Sequence, residues 1–139
     1  MTEGGKVFLD TNLLVYSVDT SDAVKHRRSR QVVAAVGQAQ TGVISTQVML
    51  ELFSALLRKL RHTPLEAKET VQRLSAFETV LVSPAIIERA MDCVLLYSIS
   101  FWDALIVAAA AAANCRVLLT EDLQHGQSLL GVRIENPLL

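Results

Sequence analysis

Cysteine is scarce in this chain. Cys93 and Cys115 stand far apart, and neither belongs to a CxxC motif or a Cys/His cluster, so a zinc site is not expected. Two isolated thiols suggest a reducing compartment, and MTEGGK leads straight into the first apolar segment without a secretory signal. A cytoplasmic location is therefore expected. Charge of one sign is also lacking. The formal net charge is −1, so no global field recruits nucleic acid, and any such binding must use local patches. The longest uninterrupted apolar run, residues 104–113, falls short of the ~20 residues that cross a bilayer. No internal repeat, linker-like stretch or low-complexity segment divides the chain, apart from an alanine run that makes good helix. At 139 residues and 51% hydrophobic, the chain reads as one domain over 1–139 with a sizeable core.

Short apolar runs alternate with helical segments. Residues 7–9, 42–45, 79–82, 117–119 and 132–134 read as strands. Helices are expected from Leu13, from Asp22 to about Gly37, and from Gln47 to about Arg61. Three more run from Pro64 to about Glu78, from Ser83-Pro84 to about Tyr97, and from Ser100 to about Asn114. Pro64 and Pro84 suit first helical positions, and Thr63 and Thr46 suit caps. This alternation predicts a three-layer α/β/α sandwich around a central parallel sheet of about five strands.

Four carboxylates sit in settings that local structure explains unequally well. Asp10 interrupts the apolar run VFLDTNLLVY, at the carboxyl end of the first strand, where ligands of open α/β sheets collect. On this stretch alone, a helix cap by Asp10, Thr11 or Asn12 is the commoner reading. Asp122 lies just beyond the fourth strand, next to Glu121 and two residues after Thr120. Asp103 heads a helix that is apolar all round and therefore expected to be buried, so its charge needs compensation. Ser100 and Asp103 also fit a capping pattern, and the two roles are compatible. Glu51 falls on the polar edge of its helix beside Ser54 and Arg58, where a solvated charge would be ordinary. Its position near the same sheet edge is what favours a role in a site. Carboxylates converging on one pocket repel one another, and a hard divalent cation removes that conflict. Mg²⁺ or Mn²⁺ suits sparse carboxylates plus water, and such an ion suits phosphate chemistry.

The segments FLDTNLLVY, SFWDALIVAAA and LLTEDLQHG, with a glutamate in the helix after the second strand, resemble the PIN domain. Within that family the resemblance is to bacterial VapC-type ribonuclease toxins, and it covers nearly the whole chain in order. It implies an RNA-cleaving endonuclease that uses Mg²⁺ or Mn²⁺, hydrolyses phosphodiester bonds with a metal-activated water, and leaves 5′-phosphate and 3′-hydroxyl ends. It places the family's acids on Asp10, Glu51, Asp103 and Asp122. Asp10, Asp103 and Asp122 would ligate the metal, and Glu51 would position a water or a second ion. Thr11, Asn12, Thr120 and Glu121 would support them, with Thr120 spacing favouring Asp122 over Glu121 as the ligand. A homodimer and a cognate antitoxin, its C-terminal segment in the groove near the acids, are implied as well.

Two basic runs, Lys25 to Arg30 and Arg58 to His62, could hold RNA phosphates, although solvated helix faces explain either one. His26, His62 and His125 pair with no Ser or Cys nucleophile, so a histidine mechanism carries little weight. Phe101 and Trp102 are expected in the core or a dimer interface rather than stacked on bases. Rival readings fare worse. A haloacid-dehalogenase-type phosphatase wants an acid where Asn12 stands, and a receiver domain wants paired acids after strand one with a lysine at the pocket. A PIN-like scaffold that binds RNA or protein without cutting would be expected to have lost acids, and all four are here.

Overall fold

The computed structural model describes residues 5–139. The elements run β1 (Lys6–Leu9), α1 (Thr11–Tyr16), α2 (Ala23–Ala39), β2 (Gly42–Ser45), α3 (Thr46–Arg58) and α4 (Pro64–Gln72). A 3₁₀ turn (Arg73–Ala76) then leads to β3 (Glu78–Val80), α5 (Pro84–Tyr97), α6 (Phe101–Ala112), β4 (Cys115–Leu119), β5 (Ser128–Leu129) and β6 (Val132–Glu135). The sheet order is β3-β2-β1-β4-β6-β5. All neighbours are parallel except the β5–β6 pair. Helices flank the sheet, as expected for an α/β/α sandwich.

The sixth strand departs from the expected five. β5 contributes only Ser128 and Leu129, too short for any periodicity to register, and it pairs antiparallel with β6. Helix ends shift for local reasons. α1 starts at Thr11 rather than Leu13 because Asp10 is its N-cap. α3 stops at Arg58 because Arg61 turns left-handed and the His62 N–H bonds back to the Leu56 carbonyl at 2.9 Å. α4 stops at Gln72, where the 3₁₀ turn takes over, and Thr63 and Glu66 close a reciprocal capping box at its start. β3 gives out after Val80, since Ser83 already caps α5. Cys93 and Cys115 are free and buried. Among the described residues no single helix is long and apolar enough to cross a membrane.

The main core gathers Phe8 and Leu9 of β1, Ile44 of β2, Leu118 of β4 and Ile134 of β6 with Leu13, Val48 and Leu52 from the helices. α6 is apolar around its middle because it packs in two directions. Ile106, Val107, Ala109 and Ala110 join the main core, while Ala104, Leu105 and Ala108 meet Ile86, Ala90 and Cys93 of α5.

The parallel register of β1 on β4, Phe8 opposite Leu118 and Leu9 opposite Leu119, sets the two carboxyl ends side by side. The sheet order turns at β1, which has β2 on one side and β4 on the other. In open α/β sheets the crevice at such a turning point receives ligands. Polar burial concentrates there too. Among the described residues, Asp10, Thr11, Ser45, Gln47 and Thr120 are buried at this edge, and Ser29 is the one buried polar residue elsewhere.

At the other end of the sheet, the ring of Phe77 lies over Gly42. A Cβ at position 42 would come within 2.3 Å of that ring and 2.9 Å of Val36. Gly42→Ala is expected to destabilise the protein by about 1–3 kcal/mol through overpacking, read as a lower urea midpoint with an unchanged slope.

Candidate active site

Asp10 is fixed on both oxygens. Its Oδ1 accepts from the Thr11 N–H at 2.7 Å and its Oδ2 from the Thr120 hydroxyl at 2.8 Å. The cap and the site proposed for this residue are therefore the same carboxylate. It is only 6% exposed, and burial pushes its pKa up to about 7 against the two hydrogen bonds, with Asp122 and Glu51 adding repulsion.

Thr120 is the hub of this edge. While donating to Asp10, its hydroxyl accepts from the Asp122 N–H at 3.0 Å and from the Asn12 amide at 3.3 Å. The same Asn12 amide reaches Asp122 Oδ2 at 3.1 Å. Asn12 thus ties the start of α1 to the turn after β4.

Asp103 enters from α6, where the Ser100 hydroxyl accepts from its N–H at 3.1 Å. The expectation of a fully buried charge is corrected here. The first turn of α6 is the uncovered end of the helix, so Asp103 is half-buried. Trp102 is 64% exposed, which removes it from the core; its ring meets Phe101 edge-on. Desolvation raises the Asp103 pKa against the Ser100 hydrogen bond, with Asp122 and Glu51 raising it further.

Asp10, Asp103 and Asp122 each offer an oxygen such that all three lie within 4.8 Å of one another. Glu51 stands beside this group rather than in it. It is half-buried, accepting from the Thr11 hydroxyl at 2.8 Å and from the Gln47 amide at 3.0 Å. The polar edge that periodicity gives it is therefore the edge facing the acids. Glu121 turns elsewhere, accepting from the Tyr16 hydroxyl at 2.5 Å and the Lys25 ammonium at 2.9 Å. Of the two neighbouring acids, Asp122 joins the cluster.

Gln47 escaped sequence reasoning. Its side-chain amide donates to Glu51 and to the Trp102 carbonyl at 3.1 Å, linking α3 to the turn that carries Asp103. It is 7% exposed. A glutamine in an apolar helix, one turn before an acid, was the available signal.

The cluster fits a hard divalent cation. Three carboxylates converge, and among the described residues none is ion-paired with a Lys or Arg side chain. Nearby Lys25 is spent on Glu121. The donors are all oxygen, with no His or Cys among them, which favours Mg²⁺ or Mn²⁺ over softer metals.

An α/β/α domain with carboxylates gathered at the carboxyl edge of a parallel sheet is the class that fold and site define. The PIN domain family model matches residues 7–127, and the chain belongs to that family. No curated protein matches. Solved structures share the fold. One is a toxin–antitoxin complex from Klebsiella pneumoniae, 22% identical, covering 95% of this chain and 98% of its own, with a TM-score of 0.71. Another is VapC20 of Mycobacterium tuberculosis, described as a sarcin-ricin loop cleaving toxin, at 19% identity, 81% and 87% coverage and a TM-score of 0.69. VapBC2 from Rickettsia felis, bound to a promoter DNA fragment, matches at 20% identity, 94% and 97% coverage and a TM-score of 0.69.

The raised pKa of Asp10 has a measurable consequence for the metal-free protein. A carboxyl that holds its proton more tightly when folded favours the fold below its unfolded pKa, and that contribution is lost as pH rises towards the folded value. From the ordinary 3.8 to about 7, wild type in EDTA should lose a few kcal/mol relative to Asp10→Asn. Urea denaturation of both proteins between pH 4 and 8 measures the difference.

Proposed function

We propose that this chain is the toxin of a toxin–antitoxin pair, a metal-dependent endoribonuclease acting in the cytoplasm. The observation that carries the reading is the convergence of Asp10, Asp103 and Asp122 on one point, in a chain of the PIN domain family. The similar solved structures described as a toxin–antitoxin complex and as a sarcin-ricin loop cleaving toxin support the biology, with a cognate antitoxin as the protein partner. A homodimer belongs to the same reading. Its support is exposed apolar surface: Leu95, Leu96 and Trp102 all lie open around the junction of α5 and α6.

Asp10, Asp103 and Asp122 would hold Mg²⁺ or Mn²⁺. Such an ion, when bound, neutralises charge on the phosphorus centre and makes water a better nucleophile. The chain's own residues fix the geometry. Thr120 and the Thr11 N–H keep Asp10 in one orientation, and Asn12 does the same for Asp122. Glu51, steadied by Thr11 and Gln47, is left to orient the attacking water and accept its proton. The phosphodiester is cut between phosphorus and the 3′ oxygen, leaving 5′-phosphate and 3′-hydroxyl ends.

Single-stranded RNA incubated with the protein should be cut in Mg²⁺ and left intact in EDTA. Asp103→Asn should lower the rate by more than about a hundredfold, since it removes a direct ligand rather than an outer partner. Circular dichroism would show the fold retained. Cleavage unaffected by exhaustive chelation would remove the metal from the mechanism.

Glu51→Gln separates orientation from binding. If Glu51 takes a proton from the attacking water, kcat should fall by about a hundredfold or more while KM stays near wild type. Near-normal turnover at limiting Mg²⁺ would leave Glu51 only the role of a hydrogen-bond partner to Thr11 and Gln47.

A further inference from the structure

A cleft of about 610 Å³ opens from Glu51 along α3, lined by Leu50, Glu51, Ser54, Ala55, Arg58 and Lys59. Residues 51, 55 and 58 share one helix face, and Arg58 stands about 10 Å along the axis from Glu51. Both cations are exposed. Arg58 touches the Ser54 hydroxyl at 3.5 Å, and among the described residues neither cation forms an ion pair. Asp19 lies close enough to Lys59 to feel its charge.

The electrostatics of the edge give these two cations a task. Asp10, Asp103, Asp122 and Glu51 together outweigh the charge of one divalent ion, so a polyanion meets net repulsion there. Overall charge offers no help, being −1. Lys25, which reaches the turn after β4, is held by Glu121 and Tyr16. Arg58 and Lys59 line the same cleft as Glu51.

We infer that this cleft is an RNA phosphate subsite, in which Arg58 and Lys59 hold phosphates flanking the scissile one. The inference rests on the ribonuclease reading and assigns the strand its path. RNA bears a charge at every nucleotide, so a strand with one phosphate at the acid cluster must place its neighbours close by. An Arg fork and a Lys ammonium both suit a phosphate. Leu50, 73% exposed at the same rim, adds apolar surface within reach of a base. The plainer explanation of two cations at a helix C-terminus is interaction with the helix dipole. That role would show in stability, and it would leave RNA affinity untouched.

The test uses the full chain carrying Asp103→Asn, so that RNA binds without being cut, and a fluorescein-labelled single-stranded RNA in Mg²⁺. Adding Arg58→Gln and Lys59→Gln should weaken binding roughly tenfold and make the slope of log K against log salt shallower by about 1.4, or 0.7 for each cation removed. Arg58→Lys keeps the charge and should keep the slope. In the cleaving protein, the double substitution should raise KM and leave kcat close to wild type. Unchanged affinity and slope, in a parent that binds RNA in a salt-dependent way, would overturn the subsite. So would unchanged RNA binding accompanied by lost binding of polyglutamate, which would give the cleft to an acidic protein segment. If the unsubstituted chain neither cuts RNA nor binds it, the ribonuclease reading itself falls, and the subsite with it.

Discussion

The hydrogen bond from the Thr120 hydroxyl to Asp10 joins two strands at the point where their ladder ends. It continues a backbone bond, the Asp10 N–H to the Leu119 carbonyl at 3.1 Å, so the β1–β4 register passes directly into the side chains. A buried carboxylate without partners is destabilising by several kcal/mol. Here both oxygens are engaged, and the position of Asp10 follows from strand pairing rather than from loop conformation. Asn12 and Asp122 inherit that precision, because each is bonded to the same hydroxyl or to its neighbour.

The other half of the site reaches the edge by helix packing. α3 brings Glu51 and Gln47, α6 brings Asp103, and Gln47 bonds to Glu51 and to the Trp102 carbonyl next to Asp103. Strand register fixes one pair of acids and a buried amide spans the rest. Sites built on regular elements with a supporting shell of hydrogen bonds keep their geometry better than sites on loops. The cluster needs that support, because its members repel one another whenever no cation is present.

Much of this was legible in the sequence. Asp10 could be found because a polar triplet inside an apolar run has few explanations, and the strand pattern placed its carboxyl end. Alternation of elements gave the layers. What could not be read was whatever depends on contacts between distant segments. Glu51 has the same helical projection whether its polar face meets solvent or other acids, and only packing decides. The spacing from Thr120 favours Asp122 over Glu121, but the partners that turn Glu121 away, Tyr16 and Lys25, lie about a hundred residues off. Trp102 has the composition of a core residue, and its exposure reflects the uncovered first turn of α6. β5 has no pattern of its own and exists through its pairing with β6.

The alanines of α6 have a meaning beyond helix propensity. Ala104 and Ala108 are fully buried against α5, and Ala109 and Ala110 are fully buried towards the sheet. At these four positions the helix main chain comes close to its neighbours, while Leu105 fills the space towards α5 and Ile106 and Val107 fill it towards the main core. An added methylene at any of the four alanines would have to be taken up by moving the helix, and Asp103 rides on its first turn.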